Sequence, residues 1–382
     1  IAAITGTSGK TSVVQFTRQI WQALGHRAAA IGTLGIIGDG IERYGSLTTP
    51  DCISLHQDLQ MLVKDKGMDR VAIEASSHGL DQYRLDGLSI RYAAFTNLSR
   101  DHLDYHKDMG TYFKTKQRLF SELLSKDGIA VLNKDIPEYE MLAGILRARG
   151  VRMVSFGTKD ADLCLLSSKE DAQGQVLQMS VQGKKSSVPV PLVGAFQGMN
   201  VVCAAAIVLA GGEDAQKIIT ALPRLSGVRG RMESMGDFNG ARIYVDYAHK
   251  PDALENVLRA LRASTRGRLI ALFGCGGGRD AGKRPMMGEI AARLADLVIV
   301  TDDNPRMEDP AAIRREIMKA CPGGLEIGGR EEAIAYGIAQ LKPGDTLVIA
   351  GKGHEPGQIV GNKTLPFDDA EVARRLMRSR AA

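Results

Sequence analysis

A glycine-containing loop near the start of the chain constrains the fold more than any other feature of the sequence. Residues 4–12 read ITGTSGKTS, with a strand predicted over 2–4 and a helix over 11–24. A strand, loop and helix in this order form a phosphate cradle, because glycines let backbone N–H groups close on phosphate oxygens and the helix N-terminus adds a positive dipole end. The loop is shorter than a Walker A motif, whose first glycine would stand at Ile4. The residues predicted to hold a nucleotide are Gly6, Thr7, Ser8, Gly9, Lys10, Thr11 and Ser12.

Two side chains at the end of this loop fit the chemistry of ATP. Lys10 is placed to reach the terminal phosphates, and the Thr11 hydroxyl is placed to bind Mg²⁺. A Gly-Lys-Thr triplet also occurs in ordinary turns, so it is the strand-to-helix context that favours nucleotide binding.

Length and composition set limits on the class of protein. A chain of 382 residues predicts two domains, which we place at 1–230 and 231–382. Its five cysteines form no C-x-x-C pair, which is typical of reduced thiols in a cytoplasmic protein. The longest apolar run, 201–210, is far shorter than the ~20 residues of a membrane span. A net charge of +5 without a basic block suits anionic small molecules and gives no support for nucleic-acid binding.

The order of the predicted elements indicates an α/β fold. Strands alternate with helices through the first part of the chain, which predicts a central P-loop domain with a mainly parallel sheet. Short alternating strands over 162–191 predict a small antiparallel sheet, and 198–210 predicts a buried helix. The later strands predict a Rossmann-like C-terminal domain. The predicted strands are 28–32, 71–75, 93–97, 129–133 and 151–156, then 241–246, 269–273, 297–301 and 346–350.

Polar side chains follow two strands of the first domain. Glu74 ends an apolar strand, where it either ligates Mg²⁺ or simply faces solvent. Asp101, His102, Asp104 and His106 follow the next strand and favour a metal and phosphate site over isolated structural residues.

Four strand ends of the second domain carry polar residues as well, which predicts a binding face along one sheet edge. Pro251 is expected to open a helix there, and Arg279, Lys283 and Arg284 are expected to supply positive charge to a ligand. The four segments are 246–251, 273–285, 301–306 and 351–355.

Taken together, these motifs resemble the Mur ligases, the ATP-dependent amino-acid ligases of peptidoglycan synthesis. The resemblance is carried by TGTSGKT at 5–11, EASSHG at 74–79, TNLSRDH at 96–102, DYAHKP at 246–251 and GKGHE at 351–355. It implies a ligase that adds meso-diaminopimelate to the D-Glu carboxylate of UDP-MurNAc-L-Ala-D-Glu through an acyl phosphate. The motif DNPR at 303–306 is similar to that of members using diaminopimelate, with Arg306 forming a bidentate pair with the distal carboxylate.

The resemblance also implies roles for individual residues. Lys10, Glu74, His102 and Lys116 would be catalytic, with Thr11 and Glu74 on one Mg²⁺, His102 on a second, and Lys116 carbamylated. Without the resemblance, Lys116 reads as an ordinary surface charge, and Pro50 is expected to open a helix. Further nucleotide contacts implied are Asn97, Asp246 and His249. The muramoyl-dipeptide contacts implied are Thr48, Thr49, Ser76, Gln82 and Arg84, and the diaminopimelate contacts are Arg279, Asn304, Arg306, Gly351 and Glu355.

Several alternatives stay open at this point. The same fold could ligate L-lysine, extend folate with glutamate, act as a non-catalytic nucleotide-binding regulator, or transfer phosphate to a small alcohol. The family's N-terminal uridine-nucleotide domain has no counterpart in this sequence, which begins without Met at the phosphate-loop strand. We expect a cytoplasmic monomer that acts on small molecules and inserts into no membrane.

Overall fold

Two units make up the chain, Ile1–Ser226 and Gly227–Ala382, in a computed structural model that describes residues 1–45, 47–171 and 174–381. The first unit is built on one large sheet with helices packed against it. Its strands are β1 (Ala2–Thr5), β2 (Ala28–Gly32), β3 (Gly35–Gly38), β4 (Ile41–Arg43), β5 (Arg70–Glu74), β6 (Ile90–Phe95), β7 (Leu124–Asn133), β8 (Arg152–Gly157), β9 (Leu163–Asp171), β10 (Gly174–Val181) and β11 (Lys184–Val190). Its helices are α1 (Lys10–Ala23), α2 (Cys52–Lys64), α3 (Ser77–Asp81), α4 (Leu103–His106), α5 (Met109–Arg118), α6 (Tyr139–Ala148), α7 (Ala195–Ala210) and α8 (Ala215–Ala221).

The centre of this sheet is parallel, as the alternation of strands and helices predicts. Within the described residues the strand order is β11-β10-β9-β8-β7-β6-β1-β5-β2-β3-β4. Strands β2, β5, β1, β6, β7 and β8 pair in parallel, so their carboxyl ends meet at one edge. The predicted antiparallel strands are β9, β10 and β11, and they extend the large sheet because β9 pairs with β8.

Burial explains why these strands read as continuous apolar runs. All four residues of β1 and all five of β2 are buried, as expected when helices cover both faces of a parallel sheet. Helix α1 packs against α7 on this sheet. Helix α7 is buried over most of its length, which confirms the prediction for 198–210.

The start of α2 differs from the sequence-based expectation, and the end of α5 has an unusual geometry. Helix α5 ends at Arg118, and a π-helical turn over Leu119–Leu123 leads into β7, because Leu119, Phe120 and Leu124 are all buried in the core. Pro50 does not open α2. Asp51 caps that helix, its carboxylate accepting the Ser54 N–H at 3.0 Å.

The second unit carries a smaller sheet whose strand order, in the described part, is β12-β13-β17-β14-β15-β16. Strands β13, β17, β14 and β15 are parallel, so the four polar segments predicted for this domain do leave the same edge. Helix α9 begins at Pro251, as predicted. The strands are β12 (Glu233–Phe238), β13 (Ala241–Asp246), β14 (Leu269–Phe273), β15 (Leu297–Val300), β16 (Leu325–Glu326) and β17 (Thr346–Ala350), with a hairpin of β18 (Gly357–Val360) and β19 (Lys363–Pro366). The helices are α9 (Pro251–Ser264), α10 (Lys283–Leu294), α11 (Pro310–Met318), α12 (Arg330–Ala339) and α13 (Asp369–Ala381).

Candidate functional site

The phosphate loop between β1 and α1 depends on two glycines whose φ angles are positive. Gly6 has φ +139° and Gly9 has φ +84°. A Cβ atom on Gly6 would lie 2.0 Å from the Thr96 hydroxyl, and one on Gly9 would lie 2.4 Å from Asn200 Oδ1. Both the backbone conformation and the close neighbours therefore require glycine.

The loop is held by Asn97, two residues after the end of β6. The Thr7 N–H donates to the Asn97 carbonyl, and the Ser8 N–H donates to Asn97 Oδ1, both at 2.9 Å. Lys10 Nζ donates to the carbonyls of Gly6 and Thr7, also at 2.9 Å. Asn97, which the resemblance assigns to the nucleotide, thus shapes the cradle in which Lys10 lies.

Glu74 is the buried acid of this site, so the reading that places it in solvent is wrong. Only 1% of it is exposed, and Oε2 accepts the Thr11 hydroxyl at 3.1 Å. Thr33, which sequence reasoning missed, donates its N–H to Oε1 at 2.8 Å and its hydroxyl to Oε2 at 3.1 Å. Its position directly after strand β2 was the available signal, because that strand ends at the same sheet edge. A carboxylate beside a hydroxyl is an oxygen donor set that suits Mg²⁺.

Lys116 also reaches the phosphate loop. Its exposed fraction is 1%, so its reading as a surface charge is wrong. Nζ donates to the Gly6 carbonyl at 2.9 Å and lies 4.5 Å from the centre of the Tyr112 ring. The Tyr112 hydroxyl lies 3.2 Å from Thr7 Oγ1, and burial raises the pKa of this phenol well above its ordinary value. The amine of α5 is therefore brought to the loop by the fold and not by sequence proximity.

His102 is the residue directly before α4, and its side chain is partly exposed. Its side chain is 41% exposed, and its Nε2 lies 3.3 Å from Asp101 Oδ2. The His78 ring centre is 4.8 Å away, and His78 also contacts the buried His106. Burial lowers the pKa of His106 below its ordinary value, and electrostatic repulsion from His78 lowers it further. The side chain of Asp104 lies outside what the structure describes.

The side chains around the phosphate loop and His102 offer few ligands to a metal ion. In residues 1–45, 47–171 and 174–381, no three His, Cys, Asp or Glu side chains come together as a metal-chelating group. That Thr11, Glu74 and His102 bind metal ions stays a prediction. The oxygen donors of Thr11 and Glu74 support it.

The five residues assigned to the muramoyl-dipeptide form one connected group. The Thr49 hydroxyl donates to the Glu74 carbonyl at 2.7 Å and lies 2.9 Å from Ser76 Oγ. Arg84 donates to the Thr49 carbonyl at 2.7 Å and also contacts Gln82. The fifth member, Thr48, lies with its hydroxyl 3.1 Å from that of Thr33. This group therefore contacts Glu74 through Thr49, and its Thr48 contacts Thr33, which also bonds to Glu74.

In the second unit, the residues assigned to diaminopimelate lie at the ends of β15 and β17. Asn304 is 4% exposed and donates from Nδ2 to Glu355 Oε2 at 2.8 Å. Arg306 has φ +52°, and its Nη1 donates to the Gly277 carbonyl at 2.9 Å. A Cβ on Gly351 would lie 2.8 Å from Asp303 Oδ2. Asn304, Arg306, Gly351 and Glu355 are therefore gathered at one place.

Three basic residues follow β14, and the sequence predicts that all three supply positive charge to a ligand. The structure differs from this prediction. Arg284 is 2% exposed and is paired with Glu308 at 2.8 Å and Glu316 at 2.9 Å, so its charge is already neutralised inside the fold. Lys283 donates to the His249 carbonyl at 2.8 Å. Arg279 is exposed, and no hydrogen bond joins it to another described residue of the site. Its assignment depends on the resemblance alone.

The end of β13 is organised around Asp246. This carboxylate accepts the N–H groups of Met232 at 2.7 Å and Ala248 at 2.8 Å, and burial raises its pKa to about 6. His249 Nδ1 lies 2.8 Å from the Tyr247 carbonyl, and the two rings are in contact. Asp246 therefore fixes the backbone turn that precedes His249.

Comparison with known proteins gives matches along nearly the whole chain. Residues 4–208 match the Mur ligase middle domain and residues 230–353 match the family described as "Mur ligase, glutamate ligase domain". The UDP-N-acetylmuramoyl-L-alanyl-D-glutamate–2,6-diaminopimelate ligase of Chelativorans sp. (strain BNC1) is 50% identical over 383 residues, covering 100% of this chain and 79% of the relative.

Solved structures agree with these sequence matches. A structure of a ligase with the same name superposes with a TM-score of 0.72 at 34% identity, covering 100% of this chain and 78% of the other. Mycobacterium tuberculosis folylpolyglutamate synthase complexed with ADP and AMPPCP superposes with a TM-score of 0.76 at 21% identity, covering 99% and 90%. At that identity the second likeness concerns the fold. In the described ranges, none of the helices combines the length and apolar character needed to cross a bilayer.

Proposed function

The chain belongs to the Mur ligase family, and we propose that it joins meso-diaminopimelate to the D-Glu carboxylate of UDP-MurNAc-L-Ala-D-Glu. It is an ATP-dependent amide ligase of peptidoglycan synthesis. The observation that carries the proposal is the match to a diaminopimelate ligase along 100% of the chain at 50% identity. The two groups of side chains described above agree with it, because one suits ATP and an acceptor carboxylate and the other suits an amino acid.

The chemistry begins with activation of a carboxylate. The D-Glu side-chain carboxylate attacks the ATP γ-phosphate, ADP leaves, and an acyl phosphate forms. The neutral amine of diaminopimelate then attacks the acyl carbon, the C–N bond forms, inorganic phosphate leaves with the electron pair of the C–O bond, and the nitrogen releases one proton to solvent. The protein's contribution is to position the reactants and to neutralise charge.

In the first unit, the proposed ATP-binding domain, Lys10 would bind the β- and γ-phosphates. Thr11 and Glu74 would hold one Mg²⁺ and His102 a second, and Mg²⁺ when bound supplies positive charge beside the transferred phosphate. The buried Glu74 carboxylate and its Thr11 partner support the first of these assignments. The proposed nucleotide contacts are Asn97 of the first unit and Asp246 and His249 of the second.

Lys116 is proposed to be carbamylated. A neutral Lys116 amine adds to CO₂, forms an N–C bond and releases a proton, which leaves an anionic carbamate close to the loop. Its burial and its contact with the Gly6 carbonyl support this proposal, since they keep the amine next to the phosphate site. Exposure of the protein to ¹³CO₂ should give a carbamate signal in the ¹³C NMR spectrum that is missing from Lys116→Gln.

The acceptor and the amine are assigned to different groups of side chains. Thr48, Thr49, Ser76, Gln82 and Arg84 are proposed to hold the muramoyl-dipeptide, which places its carboxylate near Glu74. Asn304, Arg306, Gly351 and Glu355 of the second unit, together with Arg279, are proposed to hold diaminopimelate. We also propose that the enzyme is a monomer. We place it in the cytoplasm, because ATP and nucleotide precursors are found there.

Phosphate release tests the reaction directly. The protein is incubated with ATP, Mg²⁺ and UDP-MurNAc-L-Ala-D-Glu, and then either meso-diaminopimelate or L-lysine is added. We expect release and a tripeptide product with diaminopimelate alone, and Lys10→Ala serves as the inactive control. Equal turnover with L-lysine would contradict the amino-acid assignment. Absence of release with either amine would contradict the reaction itself.

A further inference from the structure

A lysine that the proposed reaction leaves unused lies at the centre of the amino-acid site. Lys352 is 0% exposed, and its Nζ donates three hydrogen bonds. The acceptors are Asn304 Oδ1 at 3.1 Å, Glu355 Oε2 at 2.9 Å and the Gly357 carbonyl at 2.6 Å. A buried ammonium is costly unless its charge is paired and its N–H groups are bonded, and here three acceptors match its three donors.

Two of these acceptors are residues assigned to diaminopimelate. Asn304 and Glu355 are also joined to each other, since Asn304 Nδ2 donates to Glu355 Oε2 at 2.8 Å. The lysine, the amide and the carboxylate therefore form a closed triangle. Among the described residues, both bonds to Glu355 fall on Oε2, which leaves Oε1 to an incoming ammonium group.

The third acceptor connects Lys352 to the hairpin of β18 and β19, which begins at Gly357. This hairpin supports the neighbouring part of the site. Ile359 donates its N–H to Asn304 Oδ1 at 2.9 Å and accepts the Arg306 N–H at 3.0 Å, and the Gly361 N–H donates to the Arg306 carbonyl at 2.7 Å. Arg306 has a left-handed backbone, which non-glycine residues adopt only when their surroundings hold them there.

We propose that Lys352 is a positioning residue for the amine substrate. By holding Asn304, Glu355 and the start of the hairpin in one arrangement, it sets the affinity for diaminopimelate and the preference for diaminopimelate over L-lysine. The inference rests on the proposed function of this site. Lys352 acts through its neighbours and contacts no reacting atom.

The test removes the ammonium while keeping the length of the side chain. Lys352→Met is compared with Lys363→Met, which makes the same change at an exposed position of the hairpin. Steady-state phosphate release then gives KM for diaminopimelate, ATP and L-lysine. We expect Lys352→Met to raise KM for diaminopimelate about tenfold or more, because a charge-assisted network loses its donor. KM for ATP should stay within about twofold, and the preference for diaminopimelate should fall about tenfold.

A second variant and a stability measurement separate positioning from folding. Lys352→Gln keeps an N–H donor, so its KM for diaminopimelate should lie between those of the wild type and Lys352→Met. Thermal melting is recorded for every variant. An unchanged KM for diaminopimelate in a folded Lys352→Met overturns the inference, as does an equal rise in the KM values of ATP and diaminopimelate. Failure of both Lys352 variants to fold also overturns it, because the lysine then serves the fold. A wild type inactive with every amine overturns the proposed function itself.

Discussion

Replacement of Arg306 should weaken the use of diaminopimelate far more than the use of ATP. In the structure, Nη1 of this side chain is already bonded to the carbonyls of Gly277 at 2.9 Å and Asn304 at 3.4 Å. Nε and Nη2 then remain as a parallel pair of donors for the distal carboxylate of the substrate. Two charge-assisted hydrogen bonds at about 1.5–3 kcal/mol each amount to about 3–6 kcal/mol. Arg306→Ala should therefore lower kcat/KM for diaminopimelate by about 10²–10⁴-fold.

The same structure predicts a smaller effect on stability than on the use of diaminopimelate. Arg306→Ala loses the hydrogen bond from Nη1 to the Gly277 carbonyl but keeps the left-handed backbone of the wild type, so the free energy of unfolding should fall by about 1.5–3 kcal/mol. Steady-state phosphate release, with ATP and diaminopimelate varied in turn, measures the two KM values. Arg315→Ala is the matched control, because Arg315 is exposed and lies on α11. An Arg306→Ala enzyme with unchanged kcat/KM for diaminopimelate would refute the reasoning.

Three other predictions follow from buried or strained positions. Glu74→Gln should lower kcat by about 100-fold or more, because it removes the negative charge of the carboxylate to which Thr11 and Thr33 donate. The control variant, Glu140→Gln, changes an exposed glutamate and should leave phosphate release unchanged. Gly9→Ala should raise KM for ATP, because its Cβ would lie 2.4 Å from Asn200 Oδ1 at φ +84°. Gly25→Ala, with φ +94° and open space around it, should lower thermal stability without that effect on ATP. Burial raises the pKa of Asp246 from 3.8 to about 6, so the folded state binds the proton more tightly than the unfolded one. The free energy of unfolding should therefore fall by about 3 kcal/mol as pH rises from about 4 to 6, and urea titrations should show this slope lost in Asp246→Asn. A Glu74→Gln enzyme at wild-type rate, a Gly9→Ala enzyme with wild-type KM for ATP, or an Asp246→Asn protein that keeps the wild-type slope would each count against the stated cause.

The sequence by itself determined the parts of this protein that depend on local order along the chain. The loop at 5–11 lies between a strand and a helix because small residues and two glycines follow an apolar run, and α9 begins at Pro251 because proline suits the first turn. The parallel sheets follow from alternating elements, and a parallel sheet brings its carboxyl ends to one edge. Polar groups after several strands could therefore be predicted to lie together before any contact was known.

Only the tertiary structure decided which polar side chains are buried and what they contact. Lys116 has the sequence context of a surface residue, yet α5 carries its amine to the Gly6 carbonyl. Thr33 gains its importance from Glu74, 41 residues away. Arg284 was expected to face a ligand and instead pairs with two glutamates, while the buried Lys352 bonds to Asn304, 48 residues away. Burial and pairing depend on atoms brought together from distant parts of the chain, and periodicity along the sequence does not contain that information.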